Sequence, residues 1–226
     1  MSHPPSSSRQ ELFTRIHAAL GRSHTVPPQS PPPAVNEAIA RLAKPEDDLV
    51  KMFHARAAGS GMFVHRPKAA AITQHIIEFL KTQNVQSVVL GSLPLVTDLE
   101  SALTQAGIAV VPWQTRPGLD AQFDVDCGIT GVRVALAETG SLVVASDAQN
   151  SRGLSLIPPL HIAIVRPSDI LPDMIDYWAS LRGIPASDLP SSMVFITGPS
   201  KTADIEGELV TGVHGPEAVH ILLVDE

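Results

Sequence analysis

The sequence predicts an α/β domain: a largely parallel sheet flanked by helices, preceded by a helical N-terminal arm. Three observations predict it. Hydrophobic residues make up 44% of the chain and aromatics only 4%, so the core must be built of Val, Ile, Leu and Ala, the composition of strands buried on both faces. Short apolar runs alternate with helix-period segments through the first half, a rhythm that gives parallel strands joined by helical crossovers. The length of 226 residues suits one such domain with an appendage.

The elements follow in order. Ser8 and Glu11 have capping-box spacing, Leu12, Ile16, Ala19 and Leu20 share one helical face, and Gly21 is placed to end that helix. Five prolines between Val26 and Pro33 make an extended linker, because proline fixes φ and lacks an N–H donor. Residues 1–33 are therefore an arm and linker, and 34–226 the α/β domain. Within the domain, 34–58 reads as helix interrupted near Pro45, and 61–65 as a short strand. Pro67 suits a helix start before a 3.6-residue period over 70–80. Strands are expected at 86–90 and 108–111, with a helix at 97–106 between them, closed by Gly107. The second half holds closely spaced strands at 124–131, 132–138 and 142–145. A buried strand at 161–165, a helix at 170–181 and core strands at 193–197 and 219–224 follow, with a short strand at 208–211 between the last two.

Composition excludes several classes. Net charge is −7 with 16 scattered basic residues, unlike the clustered Lys and Arg that neutralise phosphates in a nucleic-acid binder. Cys127 is the single cysteine, so neither an intramolecular disulfide nor a thiolate cage is available, and it reads as a small core residue. The N-terminus is polar and no apolar run approaches a membrane span, which makes the cytoplasm the expected location. Asp124 and Asp126 are too few oxygens for a metal site. His17, His24, His54, His65 and His75 are scattered.

Four segments carry groups suited to chemistry. In Ala137-Glu138-Thr139-Gly140-Ser141 a strand delivers a carboxylate and then two hydroxyls around a glycine. Glu138 there suits a base, an acid or a nucleophile, and the same residues suit a tight turn with local hydrogen bonds. Gly198-Pro199-Ser200-Lys201-Thr202-Ala203-Asp204-Ile205-Glu206-Gly207 follows a strand, where open α/β sheets place ligands, and Ser200, Lys201 and Thr202 suit an anion cradle. It is not a P-loop, because Ser200 stands directly before Lys201 where a glycine is required. In Gly212-Val213-His214-Gly215-Pro216 the histidine between glycines suits acid–base work near neutral pH or a simple turn. In the stretch from Asn150 to His161, Arg152 can grip a carboxylate or hold a loop, and His161, opening an apolar strand, is structural.

Three of these segments occur in a characteristic order: Ile129-Thr130-Gly131 through Glu138-Thr139-Gly140-Ser141; Leu156-Ile157-Pro158-Pro159-Leu160-His161; and Ile196-Thr197-Gly198-Pro199-Ser200-Lys201-Thr202-Ala203-Asp204-Ile205-Glu206 through Gly212-Val213-His214-Gly215-Pro216. Over about 90 residues this order resembles the lactate-utilisation protein C family, which carries the LUD domain. The resemblance implies a fold similar to the NagB/RpiA/CoA-transferase-like group. It implies a bacterial role in oxidising L-lactate to pyruvate beside two partner proteins, one with iron–sulfur clusters and one cysteine-rich. The chain lacks cluster cysteines, so any iron–sulfur centre is expected in those partners.

The site expected on these motif positions has Glu138 and His214 as catalytic groups. Thr139, Gly140, Ser141, Arg152, Gly198, Ser200, Lys201, Thr202 and Asp204 bind the ligand, and no metal is involved. Two functional readings compete. One is a non-redox subunit of a lactate-oxidising complex that binds a small carboxylate or its partners. The other is a stand-alone enzyme using Glu138 on an acyl-CoA or a sugar phosphate, and rests on fold analogy alone.

Overall fold

The computed structural model of the protein describes residues 7–21, 36–114, 122–203 and 209–225. The chain divides into two compact units, Met1–Ala40 and Arg41–Glu226. The first holds helix α1 (Ser7–Ala19) and the short α2 (Glu37–Ala40). Gly21, at φ 62°, turns the chain out of α1 as its sequence position implied. The proline linker at 26–33 lies outside the described residues.

The second unit is organised by a six-stranded parallel sheet. Its strands are β1 (Phe63–His65), β2 (Ser87–Leu90), β3 (Ala109–Val110), β4 (Cys127–Gly131), β7 (Leu160–Val165) and β12 (Ala218–Leu223), in the order β1-β12-β7-β4-β2-β3. One face is covered by α4 (Ile72–Thr82) and α5 (Leu99–Gln105). Ile72, Ile76 and Leu80 repeat every four residues, as do Leu99 and Leu103, so each helix lays one apolar stripe on Val88, Ile129, Ile162 and Leu222. Cys127 is buried in this core, as its isolation in the sequence suggested, and burial pushes its thiol pKa up.

The opposite face meets α3 (Leu49–Gly59) and a second, four-stranded sheet: β8 (Ile170–Leu171), β5 (Val134–Leu136), β6 (Ser141–Ser146) and β9 (Ser192–Ile196) in the order β8-β5-β6-β9. Alternation along β6 decides its two sides. Leu142 and Val144 join Phe53 and Ala57 of α3 against the large sheet, while Val143 turns outward to Tyr177 of α6 (Met174–Ser180).

Three segments differ from the sequence reading. The helix expected over 170–181 begins as β8, which pairs parallel with β5. Pro172 removes a donor there, and Asp173 then caps α6 by accepting the Asp176 N–H at 2.9 Å. The interruption near Pro45 is longer than expected: residues 41–48 form a strap without helix before Asp48 caps α3. The strand at 193–197 is not part of the parallel sheet. It is β9, antiparallel to β6 in the second sheet. Among the described residues no helix is long and apolar enough to cross a membrane.

Candidate functional site

Because β6 and β9 run antiparallel with Leu142 opposite Ile196, the turn before β6 and the loop after β9 arrive at one edge. Thr139 Oγ1 lies 2.7 Å from Ser141 Oγ, which lies 2.7 Å from Thr197 Oγ1. Both loops abut the last turn of α3. A Cβ on Gly140 (φ 69°) would stand 2.3 Å from the Ala57 nitrogen, and one on Gly198 (φ 126°) 2.8 Å from the Ser60 oxygen. Only glycine allows that approach. Lys201 Nζ would be 3.3 Å from a Cβ on Gly61 at the same helix end. Thr139, Gly140, Ser141, Gly198 and Lys201, distant in sequence, thus share one neighbourhood.

The other expected residues divide. Lys201 and Thr202 open strand β10 (Lys201–Ala203), which pairs with β11 (Leu209–Thr211). Ser200 closes the base of that hairpin: its N–H donates to the Pro216 oxygen at 2.9 Å and its oxygen accepts from Gly212 at 3.0 Å. His214 is exposed on the adjoining loop. Asp204 lies outside the described residues. Arg152 is exposed at the start of a 3₁₀ turn, Arg152–Ser155, where Ser151 Oγ accepts the Gly153 N–H. Glu138 points to the strap: its Oε1 accepts the N–H groups of Leu42 and Ala43. His161 is structural. It is fully buried with Nε2 2.9 Å from Thr130 Oγ1, and burial lowers its pKa to about 4. The described residues contain no cluster of three or more His, Cys, Asp or Glu suited to a metal ion.

A second arrangement arises from the sheet order. From β2 the chain goes outward to β3, then returns across β2 to β4 and continues the other way. The strand order reverses between β2 and β4, and ligands of open α/β sheets sit outside the carboxyl ends of strands at such a point. Gly91 and Ser92 leave β2 there, and Gly131, Val132 and Arg133 leave β4. A Cβ on Gly131 would lie 3.2 Å from the Ser92 oxygen, so the two strand ends are closely apposed. Asn150 ties a third loop to them. Its Oδ1 accepts the Ser92 N–H at 2.8 Å, and its Nδ2 donates to both Asp147 oxygens at 3.1 and 3.2 Å. This loop is anchored below: a Cβ on Gly128 would stand 1.8 Å from the Leu154 oxygen, so the loop backbone lies directly on the sheet.

The resulting open cleft, of about 210 Å³, is lined by Ser92, Gly131, Arg133, Asp147 and Asn150 with Pro94, Val132 and Ala145 as its apolar part. A neighbouring cleft shares Arg133, Ala145 and Asp147 and adds Ser146. The Ser146 hydroxyl is buried with no hydrogen-bond partner among the described residues. The Arg133 guanidinium also lies beside the Tyr177 phenol, where its charge opposes the upward shift that burial causes. Sequence reading passed over these residues because it looked for a ligand site after the strand at 193–197. The available signal was the glycine at the end of each of two parallel strands, Gly91 directly after β2 and Gly131 as the last residue of β4.

A parallel α/β domain with a strand-end crevice is the class this architecture defines. The LUD domain profile matches residues 50–224. A lactate utilization protein C of Halalkalibacterium halodurans is 32% identical over 187 residues, covering 80% of each chain. The Bacillus subtilis protein of the same name is 39% identical over 137 residues, 56% of this chain and 57% of that one. That of Oceanobacillus iheyensis is 38% identical over 118 residues, 50% of this chain and 51% of that one. The chain therefore belongs to the LUD domain family, on its lactate-utilisation protein C branch. The match spans about half the length of the Oceanobacillus iheyensis and Bacillus subtilis relatives. The crystal structure of a DUF162 family protein from Deinococcus radiodurans superposes with a TM-score of 0.58 at 22% identity, over 80% of this chain and all of that one, and shows the same fold.

Proposed function

We propose that this protein acts in lactate utilisation as the non-redox subunit of an iron–sulfur complex that oxidises L-lactate to pyruvate. The observation that carries the reading is the family match through nearly the whole second unit, with relatives named lactate utilization protein C. Iron–sulfur clusters belong, on this reading, to one partner protein, and a cysteine-rich protein is the other. The burial of Cys127 in the sheet core is consistent with electron carriers held by those partners. The strand-end crevice supplies a place for a small carboxylate.

The stand-alone reading, a CoA-transferase-like or phosphosugar-isomerase-like enzyme, needs a Glu138 carboxylate free to reach a substrate. Two N–H donors on its Oε1 direct it to the strap, which favours the subunit reading. The deciding experiment is affinity capture of the tagged full chain from lactate-grown cells, with lactate-dependent dye reduction measured on the eluate. Co-purification of iron–sulfur partners with activity is expected. Capture of the chain alone, without activity, overturns the proposal.

A further inference from the structure

The strand-end crevice holds two side chains of opposite charge that do not pair with each other. Arg133 and Asp147 line the same cleft, yet neither forms an ion pair with a described residue. Both side chains are exposed at the open cleft, Arg133 beside the Tyr177 phenol and Asp147 held by Gln149 and Asn150, so a ligand carrying a carboxylate and a hydroxyl can engage both walls at once. We propose that the crevice binds a short 2-hydroxy carboxylate, with its carboxylate on Arg133 and its hydroxyl donating to Asp147. This assignment rests on the functional reading above and names the ligand class of its crevice.

The chemistry of each wall argues for that class. Arginine presents a planar fork that meets a carboxylate through two parallel hydrogen bonds. An ionised Asp offers about four acceptor positions. Asp147 has three engaged: Oδ1 takes the Gln149 N–H at 2.7 Å and one Asn150 contact, and Oδ2 takes the other. One position remains, which suits a single neutral hydroxyl better than an ammonium group with three donors. Pro94, Val132 and Ala145 give the short alkyl end of the ligand an apolar contact. The Asn150 amide holds Asp147 and the Ser92 backbone in one network, so the acceptor is positioned before ligand arrives.

Titration of the full chain with L-lactate, propionate and L-alanine, followed by calorimetry or by NMR shifts, tests the proposal. L-lactate is expected to bind saturably, and propionate, which lacks the hydroxyl, about tenfold more weakly. Arg133→Gln should weaken both acids at least about tenfold, with partial recovery in Arg133→Lys. Asp147→Asn keeps an acceptor for Gln149 and should bring L-lactate down towards propionate while leaving propionate unchanged. Equal binding of the two acids, tighter binding of L-alanine, or an Arg133→Gln variant that folds and binds normally overturns the assignment. Failure to bind any acid, alongside successful capture of active partners, defeats this inference alone. Binding of L-lactate without partner capture defeats the complex instead.

Discussion

Glu138 accepts the backbone N–H of Ala43 at 2.6 Å, through the same oxygen that accepts Leu42 at 2.5 Å. A carboxylate used this way fastens the strap at 41–48 to the turn before β6. Glu138→Gln keeps an acceptor there and loses the charge, so a loss of about 1 kcal/mol is expected by urea denaturation. Glu138→Ala leaves two N–H groups unmatched and should cost roughly 2–3 kcal/mol. Lactate-dependent activity of the captured complex should survive the Gln variant. A folded but inactive Glu138→Gln protein would restore the acid–base role for this residue.

The same strap is held by Arg41, whose guanidinium donates to Asp173 at 3.0 Å and to both oxygens of Asp176 at 2.9 and 2.8 Å. The Asp173 side chain is only 5% exposed. Arg41→Ala strands that carboxylate, and about 2–3 kcal/mol of stability should be lost. Arg41→Lys should recover only part of it, because an ammonium group cannot serve both acids with the same fork. A denaturation midpoint unchanged in Arg41→Ala would show that the strap is held elsewhere.

Gly140 combines a left-handed backbone with contact against α3. Gly140→Ala should therefore lose roughly 3 kcal/mol or more and accumulate mostly as insoluble protein. Gly183, also at positive φ (80°) but with open space where its Cβ would stand, isolates the conformational part. Its alanine variant should lose only about 1 kcal/mol. Equal effects at the two sites would mean that the helix end yields.

Acid should weaken the fold. Burial lowers the His161 pKa to about 4, and His220 falls to about 4 through burial first and the neighbouring His65 second. Both lie below the ordinary histidine value of 6.5. Between those values the unfolded chain takes up protons that the folded chain refuses. Their contribution is therefore complete above pH 6.5 and is lost as pH falls towards 4. For His161 the loss is on the order of 3 kcal/mol. His220 adds to it, since its Nδ1 stands 3.0 Å from His65 Nε2 and that contact needs one donor and one acceptor. Urea denaturation across this range should show the slope, and His161→Gln should flatten it. A pH-independent wild type would contradict the assignment.

Much of this fold was legible because period and punctuation agreed. Ile72, Ile76 and Leu80 declared α4, and Gly107 marked the end of α5. What sequence could not show was the partnership of strands. Met193-Val194-Phe195-Ile196 is as apolar as any parallel strand, yet it pairs antiparallel with β6, and local composition carries no such information. The meeting of Thr139, Ser141 and Thr197 followed from motif positions, whereas Arg133 and Asp147 became visible only once β2 and β4 were known to be neighbours. His220, lying within an apolar strand, gave no hint that it would face His65 from β1.

The absence of a side chain at Gly128 reaches further than packing. Because the carbonyl of Leu154 rests on the sheet itself, the loop carrying Asp147 and Asn150 has no cushion of side chains on which to slide. The shape of the crevice is inherited from the sheet as a cast is from its mould. A relative with a different ligand would then differ in the groups that project into the crevice, at the positions of Arg133 and Asp147, and not in the path of its wall.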